Sequence, residues 1–130
     1  MLREIELSFI DRSYLKTHNF DQIQFTGWPE DGIPETTKPT TDLIKVIFEM
    51  ISNKSQDSKI LVHGKLGVGR TGTFIALLEL LDMLEAKLSE FKQLNRIMPQ
   101  QTEKIIEETS LDVFNTVFRL RKQRCEMVSL

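Results

Sequence analysis

The chain has 130 residues, of which 40% are hydrophobic and 28% are charged, and a formal net charge of −2; this length suits one domain with a core of its own. The nearly balanced charge excludes a general electrostatic attraction to nucleic acid, and the lack of a long apolar run excludes a membrane-spanning segment. Because Cys125 is the one cysteine, no internal disulfide can form; this fits a reducing compartment, and we expect a cytoplasmic location.

The first part of the chain predicts two β-strands that pair in antiparallel fashion. Residues Arg3–Ile10 alternate between apolar and polar side chains, which places Ile5, Leu7 and Phe9 on one face. Residues Phe20–Thr26 alternate more weakly and predict the second strand.

A loop and a helix are predicted next. The segment Trp28–Pro34 contains two prolines and a glycine, so we expect a loop that continues through Pro39. A helix is expected from about 42 to 52, with Thr40 or Thr41 as its cap. The apolar face of this helix would comprise residues at helical spacing: Leu43, Val46, Ile47, Met50 and Ile51.

The centre of the chain has the pattern of a strand, a glycine-rich turn and a helix. Ile60–Val62 is a short apolar run typical of a buried strand. The turn that follows contains four glycines: Gly64, Gly67, Gly69 and Gly72. A core helix is expected at about 71–97, with apolar residues that include Phe74, Leu77, Leu78, Leu81, Leu84 and Leu88.

The last part of the chain combines a charged segment with a final helix. Residues 100–109 are mostly polar, and Pro99 ends the helical pattern that precedes them. A helix is predicted at about 110–123, where Thr109 and Asp112 resemble a capping pair. Its apolar face would comprise Leu111, Val113, Phe114, Val117, Phe118 and Leu120.

The glycine-rich turn has the composition of an anion-binding loop. Glycines let backbone N–H groups converge on an anion, and the amides and dipole of the following helix favour negative charge at that point. Arg70 adds a planar guanidinium that can bind two phosphate oxygens at once. The sequence therefore predicts a site for phosphate or another oxyanion in this turn.

Two other phosphate-binding motifs match the turn in part. Gly67–Gly72 satisfies G-x-G-x-x-G, but a dinucleotide site needs a second parallel strand after the helix, and here more helix follows. Gly64–Thr71 resembles the phosphate loop of NTPases with arginine in place of lysine, but no later strand ends in a metal-binding aspartate. Neither motif accounts for the rest of the chain.

Four segments, in order along the chain, resemble the protein tyrosine phosphatase family. Trp28–Pro34, WPEDGIP, is similar to the mobile acid loop of the family, WPDHGVP, and Val62–Gly72, VHGKLGVGRTG, is similar to its signature loop, VHCSAGVGRTG. The apolar helix after the loop is the third segment, and residues 112–128 resemble the last conserved helix and the segment that leaves it. The resemblance implies a partial α/β fold: a mixed sheet flanked by helices, with strand, phosphate loop and helix at its centre.

The resemblance also implies that the catalytic pair is altered. The nucleophilic cysteine of the family would occupy position 64, where Gly64 has no nucleophile, so a phosphocysteine cannot form there. Loss of a nucleophile costs on the order of 10^6 in rate in a well-studied serine protease. The general acid of the family is an aspartate, and the matching residue is Glu30, which is one methylene longer. Asp31 is expected to be a solvated turn residue, and Cys125, beyond the last helix, is not expected to replace the nucleophile.

The other residues of the two loops take roles from the same resemblance. His63 and Trp28 would orient the loops. A purely structural role is the plainer interpretation of His63, and a buried aromatic anchor is an equal alternative for Trp28. Thr71 matches a hydroxyl that assists the leaving thiolate and, without a thiolate, would be a first-turn helix residue. Lys65 is expected to point into solvent. The phosphate-binding residues would be Gly64, Lys65, Leu66, Gly67, Val68, Gly69 and Arg70.

Together these inferences predict a single partial tyrosine phosphatase-like domain over 1–130, with an insertion at about 87–109 and with segments of the family missing before Met1 and after Leu130. We expect an inactive, pseudophosphatase-like protein that binds phosphate or the phosphotyrosine of a partner protein through the loop at Arg70. Two alternatives stay open: a partial gene product with no ligand, and a phosphatase that hydrolyses protein tyrosine phosphate. No cofactor, metal or nucleic acid is expected.

Overall fold

The computed structural model describes residues 1–11, 14–29, 32–54, 58–95 and 109–129. In these ranges the strands are β1 (Leu2–Asp11) and β2 (Tyr14–Ile23), and the helices are α1 (Lys38–Ser52), α2 (Gly69–Asn95) and α3 (Val113–Gln123). The predicted α/β class is confirmed. The chain divides into two compact units, Met1–Glu49 and Met50–Leu130. The single domain with an insertion at about 87–109 stays a prediction, and residues 96–108 lie outside the described ranges.

In the first unit, β1 and β2 form the predicted antiparallel pair. Their register runs from Leu2 opposite Ile23 to Asp11 opposite Tyr14. The second strand was predicted at Phe20–Thr26, and it lies earlier in the chain because the pairing with β1 continues back to Tyr14 through residues that do not alternate between apolar and polar. Register in a hairpin is set by the connection between its strands as well as by side-chain alternation.

The apolar side of this hairpin is only partly covered. Ile5 is half-buried, whereas Leu7 is 53% exposed. An open groove of about 290 Å³ lies beside the hairpin, where the ends of its strands meet the first half of α1; it is lined by Met1, Leu2, Ile23, Gln24, Phe25, Pro39, Asp42, Leu43 and Val46.

Helix α1 begins at Lys38 rather than at the predicted position near 42. The backbone N–H of Thr41 and its hydroxyl both donate to the Thr37 carbonyl, each at 3.0 Å. The prediction that Thr40 or Thr41 caps the helix is therefore wrong, because Thr40 is already a buried residue of the first turn. Pro39 lies in that first turn, where no N–H donor is required and proline fits the helix.

The predicted buried strand at Ile60–Val62 is wrong. Ile60 is 50% exposed and Leu61 is 87% exposed, and neither belongs to a sheet. A buried strand needs a neighbour that pairs its backbone N–H and C=O groups. The sheet of the described residues contains only β1 and β2, so it is antiparallel rather than mixed.

The core of the second unit lies where α2 packs against α3. Among the described side chains, the buried hydrophobic ones on α2 are Phe74, Ala76 and Leu80, and the buried ones on α3 are Thr116 and Leu120. Residues four apart lie on one face of a helix. Ala76 and Leu80 therefore share one face of α2, and Thr116 and Leu120 share one face of α3. The predicted leucines at 77, 78, 81, 84 and 88 are half-buried rather than at the centre of the core.

The exposed side of α3 carries much of its predicted apolar face. Val113, Phe114 and Phe118 are 53%, 78% and 48% exposed. The two phenylalanine rings stack on each other with centroids 6.3 Å apart, and the Lys122 ammonium lies 4.7 Å from the centre of the Phe118 ring. The prediction that these three residues belong to a buried apolar face is wrong, because the buried residues of α3 are Thr116 and Leu120.

Asp112 is the N-cap of α3, whereas the predicted pair placed Thr109 at the start of the helix and Asp112 within it. Its carboxylate Oδ1 accepts a hydrogen bond of 2.9 Å from the backbone N–H of Asn115. This bond, with a second one from the Asn115 side chain, lowers the pKa of Asp112 from its ordinary value because both bonds favour the charged form. A side chain that accepts from the third residue of the helix is the usual N-cap arrangement.

Candidate functional site

The glycine-rich loop ends where α2 begins at Gly69. Its residues 65–68 form a series of bends, and Gly67 has a φ of +71°, which glycine adopts without steric cost. The Gly72 N–H donates to the Val68 carbonyl at 3.0 Å, so the first turn of α2 closes directly onto the loop. Arg70 is exposed in this turn, which contains no acidic residue. The positive end of the helix dipole and the Arg70 charge therefore occur together.

Gly64 lies beside the hydroxyl of Thr71. A Cβ atom added at position 64 would be 3.0 Å from Thr71 Oγ1, and this oxygen is the only neighbour found within 4 Å among the described residues beyond the adjacent ones. Thr71 itself is only 7% exposed. The space that a side chain at position 64 would take therefore opens toward the Thr71 oxygen.

The segment that follows α3 is hydrogen-bonded to the loop, although no site residue was predicted there. We call residues 124–129, which follow α3, the exit segment. Arg124 Nη2 donates to the Leu66 carbonyl at 2.9 Å, and the Val128 N–H donates to the Val68 carbonyl at 3.0 Å. These two bonds hold consecutive parts of the loop to a segment more than 50 residues away in sequence. No local pattern in the sequence identifies such a contact.

Two of the loop glycines are required by the same segment. A Cβ at Gly69 would lie 2.8 Å from the Ser129 carbonyl oxygen, and one at Gly72 would lie 2.5 Å from the Val128 nitrogen. Real Cβ atoms do not approach other atoms so closely. Gly69 and Gly72 therefore permit the close approach of two backbones. For Gly69 this packing role stands beside the predicted phosphate contact.

The exit segment also joins the core under the loop. Met127 is 6% exposed and packs with Ala76 and Leu120, while Val68 and Val128 pack against this cluster. Val68 therefore points its side chain into the core while its carbonyl accepts two backbone hydrogen bonds. The glycine-rich loop and the α2–α3 core are thus one packed structure.

The remaining predicted loop residues face solvent. His63, Lys65 and Leu66 are exposed, with Leu66 exposed to 74%. Cys125 is a free, exposed thiol in the exit segment. The roles assigned to His63 and to Lys65 stay predictions.

The predicted acid loop lies in the first unit. Trp28 is half-buried, and its indole Nε1 donates to the Gly32 carbonyl at 3.2 Å, which links the two ends of this loop. Gly32 has a φ of +104°, a backbone conformation that favours glycine. Glu30, the predicted general acid, and Asp31 lie outside the described residues.

In the part of the chain that the structure describes, no group of three or more histidine, cysteine, aspartate or glutamate side chains could hold a metal ion. None of the helices described there has the length and apolar character that crossing a membrane requires.

The resemblance to protein tyrosine phosphatases was tested by comparison with known proteins. A family model described as protein-tyrosine phosphatase matches residues 1–130. Similar proteins include receptor-type tyrosine-protein phosphatase eta from Gallus gallus, 35% identical over 88% of this chain and 7% of that protein. A second is receptor-type tyrosine-protein phosphatase V from Rattus norvegicus, 36% identical over 87% of this chain and 5% of that protein. A third is receptor-type tyrosine-protein phosphatase F from Mus musculus, 34% identical over 98% of this chain and 6% of that protein.

The chain therefore spans less than a tenth of the length of these relatives, and the matches cover most of its own length. The resemblance predicted from four segments is confirmed at the level of the family. This chain belongs to the protein-tyrosine phosphatase family.

Proposed function

We propose that the glycine-rich loop binds the phosphate group of a tyrosine-phosphorylated protein and does not hydrolyse it through a cysteine. The observation that carries this proposal is the glycine at position 64, because a glycine cannot form the phosphoenzyme on which the chemistry of the family depends. Family membership and the names of the relatives, all tyrosine-protein phosphatases, support phosphotyrosine as the ligand class.

The groups that bind an anion do not depend on the missing cysteine. Backbone amides at the start of α2, the helix dipole and the guanidinium of Arg70 act on the oxygens of a phosphate group. A cysteine thiolate would repel a phosphate dianion, and its loss removes this repulsion from the bound state. The proposal therefore predicts that binding persists in a chain that has lost turnover.

Turnover is tested with phenyl phosphate as substrate. We expect the wild-type chain to show no hydrolysis above buffer, since no thiol is present at position 64. The double variant Gly64→Cys, Glu30→Asp restores both residues of the family pattern, and recovered hydrolysis would support an intact loop. Hydrolysis by the wild-type chain above the rate of buffer would overturn the proposal and favour the alternative of an active phosphatase.

Binding is tested with a phosphotyrosine peptide and its unphosphorylated form. Arg70→Ala should weaken binding of the phosphorylated peptide by about tenfold or more, because a hydrogen bond to a charged group is worth about 1.5–3 kcal/mol. Arg3→Ala is the matched control, since Arg3 is exposed in β1 outside the loop, and it should leave the affinity unchanged. Equal affinities for both variants, or no binding by the wild-type chain, would contradict phosphate capture.

The alternative of a chain without a ligand rests on exposed apolar side chains. Leu61, Leu66, Phe114 and Ile33 are each at least 74% exposed. Such side chains add nothing to the hydrophobic stabilisation of the monomer. A purified monomer that shows no cooperative thermal transition would favour this alternative, and a single cooperative transition would count against it.

A further inference from the structure

We propose that the Thr71 hydroxyl is a direct ligand of the bound phosphate group, and that the glycine at position 64 is what gives the phosphate access to it. This inference rests on the proposed phosphate binding and assigns a donor that the family resemblance does not. The ligand chemistry is a tetrahedral oxyanion, supplied either by inorganic phosphate or by a phosphate monoester such as phosphotyrosine.

The first argument is the position of the Thr71 oxygen. Oγ1 lies 3.0 Å from the place that a Cβ at position 64 would occupy. Any side chain at position 64 would therefore fill the space in front of this oxygen, and with glycine that space stays open to a ligand. Among the described residues no other atom beyond the adjacent residues comes within 4 Å of the Cβ position.

The second argument is that the hydroxyl is buried but not paired. Thr71 is 7% exposed, and no hydrogen bond joins its side chain to a residue that the structure describes. No described side-chain oxygen or nitrogen is both sealed from solvent and unpaired, so Thr71 Oγ1 keeps some contact with solvent. The place that a Cβ at position 64 would occupy lies 3.0 Å from this oxygen, and with glycine it is empty. The neighbouring Thr73 differs, because its hydroxyl donates to the Gly69 carbonyl at 3.1 Å.

The third argument is the charge around this oxygen. Thr71 lies in the first turn of α2, directly after Arg70, and that turn contains no carboxylate. A hydroxyl donor at the positive end of a long helix is suited to an anion rather than to a cation. The phosphate would therefore accept from Thr71 Oγ1 while it lies within reach of the loop amides and of Arg70.

The test measures inorganic phosphate and phosphotyrosine affinity by calorimetry for Thr71→Val, Thr71→Ser and Gly64→Ala. Thr71→Val keeps the shape of the side chain and removes the donor, so both affinities should fall by about tenfold. Thr71→Ser keeps the donor and should stay within about twofold of wild type. Gly64→Ala keeps the donor but places a Cβ 3.0 Å from it, and it should weaken phosphate as Thr71→Val does.

Thr73→Val is the matched control, because the same substitution in the same helix turn removes a hydroxyl that is already paired to backbone. It should leave both affinities unchanged. If Thr71→Val and Gly64→Ala both bind phosphate like wild type, the inference is overturned. If in that case Arg70→Ala still loses affinity for phosphate, the proposed function stands. If the wild-type chain binds neither ligand, the proposed function itself fails. Weakening of inorganic phosphate only would assign Thr71 to the free anion, and weakening of both would assign it to the phosphate group of either source.

Discussion

Gly72 is the position at which packing between α2 and the exit segment tolerates added atoms least. In an unobstructed helix interior, replacing glycine by alanine stabilises the protein by about 1 kcal/mol. Here the new Cβ would lie 2.5 Å from the Val128 nitrogen and 3.3 Å from Met127 Cα. Both are backbone atoms, which cannot rotate away as the tip of a side chain does, so the exit segment would have to move.

That movement disturbs two stabilising features. Met127 is 6% exposed in the core cluster, and the Val128 N–H donates to the Val68 carbonyl at 3.0 Å. Overpacking a core costs about 1–3 kcal/mol and loss of a hydrogen bond about 0.5–1.5 kcal/mol, which together exceed the gain in helix propensity. We expect Gly72→Ala to lower the free energy of unfolding by about 1–3 kcal/mol and the melting temperature by roughly 3–10 °C.

The assay is urea unfolding followed by far-ultraviolet circular dichroism, with thermal melting as a second reading. Ser89→Ala serves as the control, because Ser89 is exposed on α2 and its replacement adds helix propensity without a clash. The control should be neutral or slightly stabilising. A Gly72→Ala variant that is as stable as wild type, or more stable, would refute the close approach of the exit segment to α2.

Three further predictions concern the loop and the cap of α3. Gly67→Ala should destabilise by about 1–2 kcal/mol in urea unfolding, because a side chain at a φ of +71° is strained; an unchanged midpoint would contradict this backbone geometry. Arg124→Gln should remove the bond to the Leu66 carbonyl, speed hydrogen exchange of the loop amides and weaken phosphate several-fold, with Arg124→Lys restoring part of the loss; unchanged exchange would contradict the supporting role of Arg124. Asp112→Ala should unfold at lower urea than wild type at neutral pH. The Asn115 N–H lowers the pKa of Asp112 from 3.8, so the stability of the charged cap is present above pH 3.8 and is lost as the pH falls through the lower folded-state pKa. The difference between Asp112→Ala and wild type should therefore disappear in strong acid, and a difference that persists there would contradict the electrostatic account.

The sequence predicted the elements that depend on local patterns. Both strands of the hairpin and all three helices of the described residues were expected, because alternation and helical periodicity are properties of neighbouring residues. The errors at the ends of these elements have local causes. Pro39 was assigned to a loop although proline is favourable in a first helical turn. The strand β2 begins earlier than predicted because its pairing with β1 extends back to Tyr14.

Features that depend on distant contacts were predicted poorly. The apolar run at Ile60–Val62 has the composition of a buried strand, but composition does not supply the partner strand that such a segment needs. Likewise, the periodicity of α3 did not show which face would meet α2, and Phe114 lies on the exposed side. The buried residues of α3 are instead Thr116 and Leu120, and Leu120 packs with Ala76 of α2.

In the candidate site, too, the features set by local sequence were predicted and those set by distant contacts were not. The loop, its glycines and Arg70 were visible as a motif, and the absence of a cysteine at position 64 is a matter of sequence alone. The contribution of the exit segment was not visible, because Arg124 and Val128 reach the loop only in the folded chain. Gly69 was assigned to phosphate binding and Gly72 to the glycine-rich turn, and their tight contacts with the exit segment give a separate reason for glycine at both positions.

The central claim is that the loop holds a phosphate group without turning it over. One calorimetric titration of the wild-type chain with a phosphotyrosine peptide tests both parts, since binding gives heat that saturates and hydrolysis gives heat that continues. We predict a saturable isotherm with no continuing heat, which Arg70→Ala weakens by about tenfold or more. Continuing heat with release of inorganic phosphate, or an isotherm that Arg70→Ala leaves unchanged, would contradict the claim.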